Sequence, residues 1–358
     1  MINAHRLTVR VLAAAVAVVG ATALSGCVES NRPAEDAAGG SECPFEADPS
    51  VTSTVRIAYQ NIPNGDLVVK DQKMLETCMP NAKITWNKFD SGGDVIQAFG
   101  SNSADIGLIG SSPATKALSA PLNIPMKVIW VHDVIGKAES LAVKDEAVTD
   151  IKQLKGKTIA VAFSSTAHYS LLQALQDAGM NPAADVKIVN LSPDKMPSAW
   201  EGGQIDAAWV WDPTLSELLG SGGHILVSSE DTAKAGKPTY DLGAATTSFI
   251  DANPAFMTAW AKAQNAAVQE INDKPDDASV SIGAVMGISP DDVKKQFAGY
   301  EYLPAKDQAS ADYLGGKLAT DLQDTAGFLL KQGGITAVSP PAVYAGGVDA
   351  KPAEAAAQ

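Results

Sequence analysis

Arginine is nearly missing from this 358-residue chain: Arg6, Arg10, Arg32 and Arg56 are all it has. With a formal charge of −14, such a surface repels polyanions, which argues against nucleic acid or anionic headgroups as partners. Cysteine is as scarce, with only Cys27, Cys43 and Cys78. No CxxC or Cys/His cluster is present, so neither a zinc site nor any other metal or cofactor is expected. The histidines, His5, His132, His168 and His224, have no metal-ligand spacing. No apolar run is long enough for a comfortable membrane span. An anionic ligand, in such a chain, has to be held by backbone dipoles rather than by guanidinium groups.

What is present begins with a targeting segment. Arg6 and Arg10 precede an apolar run from Val11 to Leu24, which ends in Leu24-Ser25-Gly26-Cys27. A basic start, a short apolar stretch and small residues before a cut predict a signal peptide over residues 1–26. Leu-Ser-Gly-Cys also resembles a bacterial lipobox, which implies lipidation of Cys27 and a lipid-anchored protein outside the cytoplasm. Removal of Arg6 and Arg10 takes the formal charge two units lower. Cys43 and Cys78 then form an even pair in an oxidising compartment, and a disulfide between them is expected. Residues 27–53 read as the lipidated N-terminus and a flexible tether.

From Val55 onward strands and helices alternate, the signature of an α/β fold with parallel strands. Strands are expected near 55–59, 82–89, 105–109, 125–132 and 140–144. The first helix is expected to run to about Cys78. The theme repeats with strands at 158–163, 186–191, 206–211 and 224–227, and a last strand from Gly243 to Phe249. Beyond Asn253 the pattern is helical, with breaks near Pro275, Pro290 and Pro304. The expected organisation is therefore two lobes facing a cleft: 54–142 the first part of lobe 1, 143–242 lobe 2, 243–338 the return to lobe 1 with C-terminal helices. Residues 339–358, rich in Ala and Pro, read as a flexible tail.

Ligands of open α/β sheets bind beyond the carboxyl ends of the strands. Each lobe has one strand-to-helix turn with suitable chemistry. In lobe 1 it is Ile109-Gly110-Ser111-Ser112-Pro113, where glycine permits close approach and proline suits the first helical position. In lobe 2 it is Ser164-Ser165-Thr166, followed by His168 in the first helical turn. A helix start offers free N–H groups and a positive dipole end, so both turns suit an anion. Either alone is also an ordinary N-cap; two on opposite lobes point to a ligand.

These residues reach a family. Phe89-Asp90-Ser91-Gly92, Asp105-Ile-Gly-Leu-Ile-Gly-Ser-Ser-Pro113, Ser165-Thr-Ala-His-Tyr-Ser-Leu-Leu172, Ile188-Val-Asn-Leu191 and Ala199-Trp-Glu-Gly-Gly-Gln-Ile-Asp206 with Val210-Trp211 resemble the sulfonate- and taurine-binding proteins of ABC importers. The likeness spans about Val55 to Gly334, and residues 165–211 are especially similar to the taurine-binding branch. It departs at Asp212-Pro213, which is more similar to the wider alkanesulfonate branch, and in the Cys43/Cys78 pair. The resemblance implies a type II periplasmic-binding fold that closes on one small ligand. It also implies a monomeric lipoprotein that delivers taurine to a permease and its ATPase, with other alkanesulfonates or nitrate as alternatives.

Chemistry weighs the ligand independently. A sulfonate is always ionised and needs donors, which Ser111, Ser112, Ser164, Ser165, Thr166 and His168 supply. The ammonium of taurine needs carboxylates and aromatic faces. Glu139, Asp212 and Asp241 lie near the expected crossings between lobes, with Tyr59, Trp211 and Tyr240 as candidate walls. Carboxylates at such crossings are equally suited to bracing a hinge. Gln60 and Asn61, at the end of the first strand, are further polar candidates, whereas Trp200 reads as core. A hydrolase is the rival class, but Ser164–Ser170 contains no G-x-S-x-G elbow, so no catalytic residue is assigned.

Overall fold

The computed structural model describes residues 42–358. The expected signal segment, Cys27 and most of the expected tether lie outside the described residues. Eleven strands follow in the described chain: β1 Thr54–Gln60, β2 Lys83–Phe89, β3 Ile106–Gly110, β4 Met126–Ile135, β5 Glu139–Val143, β6 Thr158–Val161, β7 Lys187–Asn190, β8 Ala207–Trp211, β9 His224–Ser228, β10 Tyr240–Thr246 and β11 Tyr300–Glu301. They form two sheets, β11-β4-β10-β3-β1-β2 and β7-β6-β8-β5-β9. Each is the centre of one α/β lobe.

The two sheets are built alike. In each, an antiparallel strand that follows a crossing is inserted among the parallel strands of the lobe: β10 lies between β3 and β4, and β5 lies between β8 and β9. The first sheet also has the two-residue β11, antiparallel at the β4 edge. The central strands are apolar throughout because helices cover both faces of a parallel sheet. In β8, Trp209 and Trp211 pack into one cluster and Ala208 and Val210 into another, on opposite faces. The larger core belongs to lobe 1, where the long helix Pro254–Asp273 buries Phe256, Trp260 and Val268 against the first sheet.

The chain crosses between lobes at Gly136-Lys137-Ala138 and again over 229–239. Gly299 lies against the first crossing: its carbonyl accepts the amides of Gly136 and Ala138 at 3.0 and 3.3 Å. A Cβ on Gly299 would stand 2.5 Å from the Ala138 backbone, so only glycine fits there.

Several expectations are corrected. The helix expected to run to Cys78 is two helices, Gly65–Asp71 and Met74–Cys78, interrupted where Lys73 takes a left-handed φ of 54°. The strand expected over 243–249 ends at Thr246, and a helix covers Thr247–Ala252. The lobe boundary expected at 142/143 falls earlier, since β5 already belongs to the second sheet. That expected at 242/243 also moves earlier, since all of β10 lies in the first. Residues 42–53 are docked rather than a tether: Cys43 is bonded to Cys78, as expected from the even pair, and Val51 is buried. The flexible tail expected over 339–358 is ordered. Tyr344 is fully buried and shares a 2.8 Å hydrogen bond with Ser119 Oγ, while Val128 exchanges backbone bonds with Gly347 and Asp349. One aromatic at the right spacing outweighs an Ala/Pro-rich composition, because burying it stabilises the short helices Pro341–Gly346 and Lys351–Ala356. The expected breaks do fall at prolines: Pro275 and Pro290 each begin a helix.

Candidate functional site

The antiparallel strand in each sheet determines what faces the cleft. β10 begins where β3 ends, so Asp241 stands opposite Gly110; β5 begins where β8 ends, so Glu139 stands opposite Trp211. The carboxyl ends of parallel strands and the amino ends of both crossing strands thus converge. A small cavity results, lined from lobe 1 by Gln60, Gly110 and Asp241 and from lobe 2 by Glu139, Ser165, Thr166 and Trp211. Its volume is about 10 Å³, on the order of what one water needs. The two lobes meet around it, so a group larger than one water fits only if they part.

Two helices start at this cavity. Ser111–Leu118 is preceded by extended Gly110, and Thr166–Asp177 is capped by Ser165, whose hydroxyl accepts the His168 amide at 3.1 Å. The first amides of a helix have no acceptor within it. At the second helix a side chain already uses them: Glu139 accepts Thr166 Oγ1 at 2.5 Å, Ser229 Oγ at 2.7 Å and the Ala167 amide. Burial still pushes the Glu139 carboxyl up to about 7, against the pull of those hydrogen bonds. Burial and the neighbouring Glu139 charge push Asp241 up to about 8. No ion pair among the described residues includes either group. Nor do any three His, Cys, Asp or Glu of the described residues group to hold a metal ion. Such a cavity wall favours an organic cation, while the free amides starting Ser111–Leu118 favour an anion.

The chain belongs to the NMT1-like family. The family model matches residues 52–285. A taurine-binding periplasmic protein of Escherichia coli K12 is 35% identical over 264 residues, which is 72% of this chain and 80% of that protein. Among solved structures, the alkanesulfonate-binding protein SsuA from Xanthomonas axonopodis pv. citri, bound to MOPS, superposes with a TM-score of 0.68 at 25% identity, covering 84% of this chain and 97% of that one. The periplasmic nitrate-binding protein NrtA from Synechocystis PCC 6803 gives 0.70 at 17% identity, over 87% and 89%, and shares the fold. The two-lobed architecture is that of the type II periplasmic-binding proteins.

Within this family fold, the residues singled out from sequence separate into groups. Gln60, Glu139, Ser165, Thr166, Trp211 and Asp241 meet at the cavity. Ser111 is buried beside it, its hydroxyl accepting the Tyr240 amide at 3.3 Å. Ser112, Ser164 and His168 do not reach it; they line an adjacent groove of about 450 Å³ at the cleft mouth. There Ser164, at φ 63°, accepts Lys116 Nζ at 2.8 Å, a bond from one lobe to the other. His168 stacks on Phe163 at 4.7 Å, and burial with the nearby Lys116 charge holds it down to about 4, so it is a neutral ring at physiological pH.

Others are committed elsewhere. Tyr59 leaves β1 on the face opposite Gln60 and meets Trp86 edge-on at 6.3 Å, with Lys70 5.2 Å above its ring. It does contact a cation, but the protein's own. Asn61 lines a separate groove with Pro213. Asp212 accepts the Ser216 amide and hydroxyl at 3.0 and 2.5 Å, holding the start of the Thr214–Gly220 helix. Tyr240 donates to Asp321 at 2.8 Å, and Trp200 is core, as expected. Sequence reading missed Ile62 and Ile135, which line the cavity, and Tyr300 on β11. Nothing in the spacing of Tyr300 marks it, since a two-residue strand leaves no periodicity to read.

Proposed function

We propose that the protein is the extracytoplasmic solute-binding component of an ABC importer and that its ligand is taurine. The observation that carries this reading is the meeting of Glu139 and Asp241 with a helix start in one cavity. Carboxylates suit the ammonium of an amino-sulfonate, and helix amides with Gln60 suit its sulfonate, whereas the Ser165 hydroxyl already donates to the Ala162 carbonyl. The identity to a taurine-binding relative supports the same choice. Glu139 and Asp241 hold the amine, and the helix start at Gly110–Ser111 holds the sulfonate. The crossings at 136–138 and 229–239 act as the hinge of a clamp that captures the ligand and presents it to the permease and its ATPase. Lipidated Cys27 anchors a monomeric protein to the membrane, and no cofactor or catalytic step is involved.

Calorimetric titration tests this. One lost charge-assisted hydrogen bond is worth about 1.5–3 kcal/mol, or roughly 10- to 150-fold in affinity. Taurine is therefore expected to bind at least ten times more tightly than ethanesulfonate or nitrate. Asp241→Asn is expected to weaken taurine and leave ethanesulfonate unchanged. Equal affinities for taurine and ethanesulfonate would refute the amine site; binding of nitrate alone would move the protein to another ligand class.

A further inference from the structure

Beside Asp241 stands a carboxylate that has no task in the reading above. Asp133 lies directly across from Asp241 in the antiparallel ladder of β4 and β10, so both side chains leave the sheet on the same face. Two residues on, Ile135 leaves β4 on that face too and lines the cavity. Asp133 is thus the next position inward from the cavity wall.

Asp133 is fully buried, and neither of its carboxylate oxygens accepts a hydrogen bond from any described residue. Tyr300, which lines the cavity, also has a hydroxyl without a partner. The titratable groups around Asp133 are Asp241 on β10, Glu139 on β5, Asp212 after β8, Tyr300 on β11 and Tyr302 just beyond it. Tyr302 donates to the Pro63 carbonyl, and Asp212 is held by Ser216. His132 leaves β4 on the opposite face, 3.6 Å from Asp66, and Lys137 at the crossing pairs outward with Glu230. No described ion pair includes Asp133. A dry carboxylate with neither donor nor counter-charge costs several kcal/mol if ionised, so it either keeps a proton or gains a cation. Burial and the charges of Asp241 and Glu139 hold its proton well above the usual carboxylate range.

We propose that Asp133 is a specificity-determining residue: with Asp241 and Glu139 it forms an acidic floor that keeps shared protons until an alkylammonium group replaces them, so capture of a cationic amine releases protons to solvent. The inference rests on the amino-sulfonate reading of the cavity and adds a selection rule to it. Charge balances without covalent change: the ammonium enters with its own proton, and a carboxyl of the floor gives a proton to the buffer. A sulfonate without an amine provides nothing to replace that proton and leaves the floor neutral.

The test is calorimetry of taurine and ethanesulfonate at pH 7 in phosphate and in Tris, which differ in ionisation enthalpy. Taurine is expected to release about one proton per site and ethanesulfonate none. Asp133→Asn is expected to lower the proton count by half or more and weaken taurine about ten-fold, with ethanesulfonate unchanged. Taurine binding whose enthalpy is the same in both buffers overturns the inference and leaves the ligand assignment standing. Unaltered taurine affinity and proton count in Asp133→Asn does the same. Should that variant fail to fold, the wild-type proton count alone decides. Failure of both sulfonates to bind overturns the ligand assignment and this inference together.

Discussion

A single methyl group added at Gly110 separates closure of the clamp from stability of its lobes. A Cβ built there would stand 2.6 Å from Thr166 Cγ2, on the other side of the cleft, and 3.5 Å from Thr166 Oγ1. Its contact within lobe 1, Pro113 Cδ at 3.4 Å, is tight but tolerable. Methyl groups pack near 4 Å, so in Gly110→Ala the lobes must stay more than about 1 Å further apart at this point. Overpacking of this kind costs about 1–3 kcal/mol. The penalty falls on the shut state alone, because Thr166 moves away with lobe 2 when the cleft opens. Ligand affinity is therefore expected to fall roughly 5- to 150-fold, with the unfolding free energy of the ligand-free protein, read from urea titration, lowered by no more than the same penalty. Thr166→Ser removes Cγ2 and keeps the hydroxyl that donates to Glu139. The double variant Gly110→Ala/Thr166→Ser is thus expected to recover most of the affinity in isothermal calorimetry. Wild-type affinity in Gly110→Ala, or no recovery in the double variant, would refute the argument that the two turns meet in the binding-competent state.

Two further predictions concern stability. Glu139 and Asp241 hold their protons up to about 7 and 8 in the folded chain, against ordinary values of 4.5 and 3.8. The native state then binds more protons than the unfolded state between about pH 4 and 8, so stability falls as pH rises through that window. Thermal melts of the ligand-free protein should show a midpoint that drops from about pH 6.5 to pH 8, above the range in which His168, held down to about 4, acts in the opposite sense; a midpoint that rises there would mean these carboxyls are ionised in the native state. Deleting residues 339–358 removes buried Tyr344 and Ala353. It should lower the unfolding free energy by at least about 3 kcal/mol, the scale of losing one large buried aromatic, as read from urea denaturation. An unchanged midpoint would return the segment to a flexible tail.

Much of the architecture was legible because hydrophobic period is a local property. The runs ending at Gly110, Val161 and Trp211 are apolar enough to be central strands. The Ser and Thr residues after the first two, and before the helices, mark anion-suited turns wherever they end up in space. What those hydroxyls do was not legible. Ser165 is a cap that also lines the cavity, Thr166 is directed at a carboxylate 27 residues away, and Ser164 receives a lysine from the opposite lobe. Of the three carboxylates singled out, Asp212 is a local helix brace, which its position before Thr214–Gly220 allowed but did not require. Asp133 passed unnoticed because the expected strand stopped one residue short of it, and its neighbour across the ladder, Asp241, comes more than a hundred positions later.

The sequence by itself determined the two α/β lobes, the disulfide partners and the cap chemistry at both helix starts, since each depends on residue type and on spacing within one element. Only the tertiary structure decided that the cavity between the lobes is acidic. Glu139 is the first residue of β5 and Asp241 the second of β10, with Asp133 across from it on β4, and antiparallel insertion is what turns the amino ends of β5 and β10 toward the carboxyl ends of their neighbours. Burial there, remote from any lysine or arginine among the described ion pairs, gives Glu139, Asp241 and Asp133 their raised proton affinities. No single stretch of the chain contains that information.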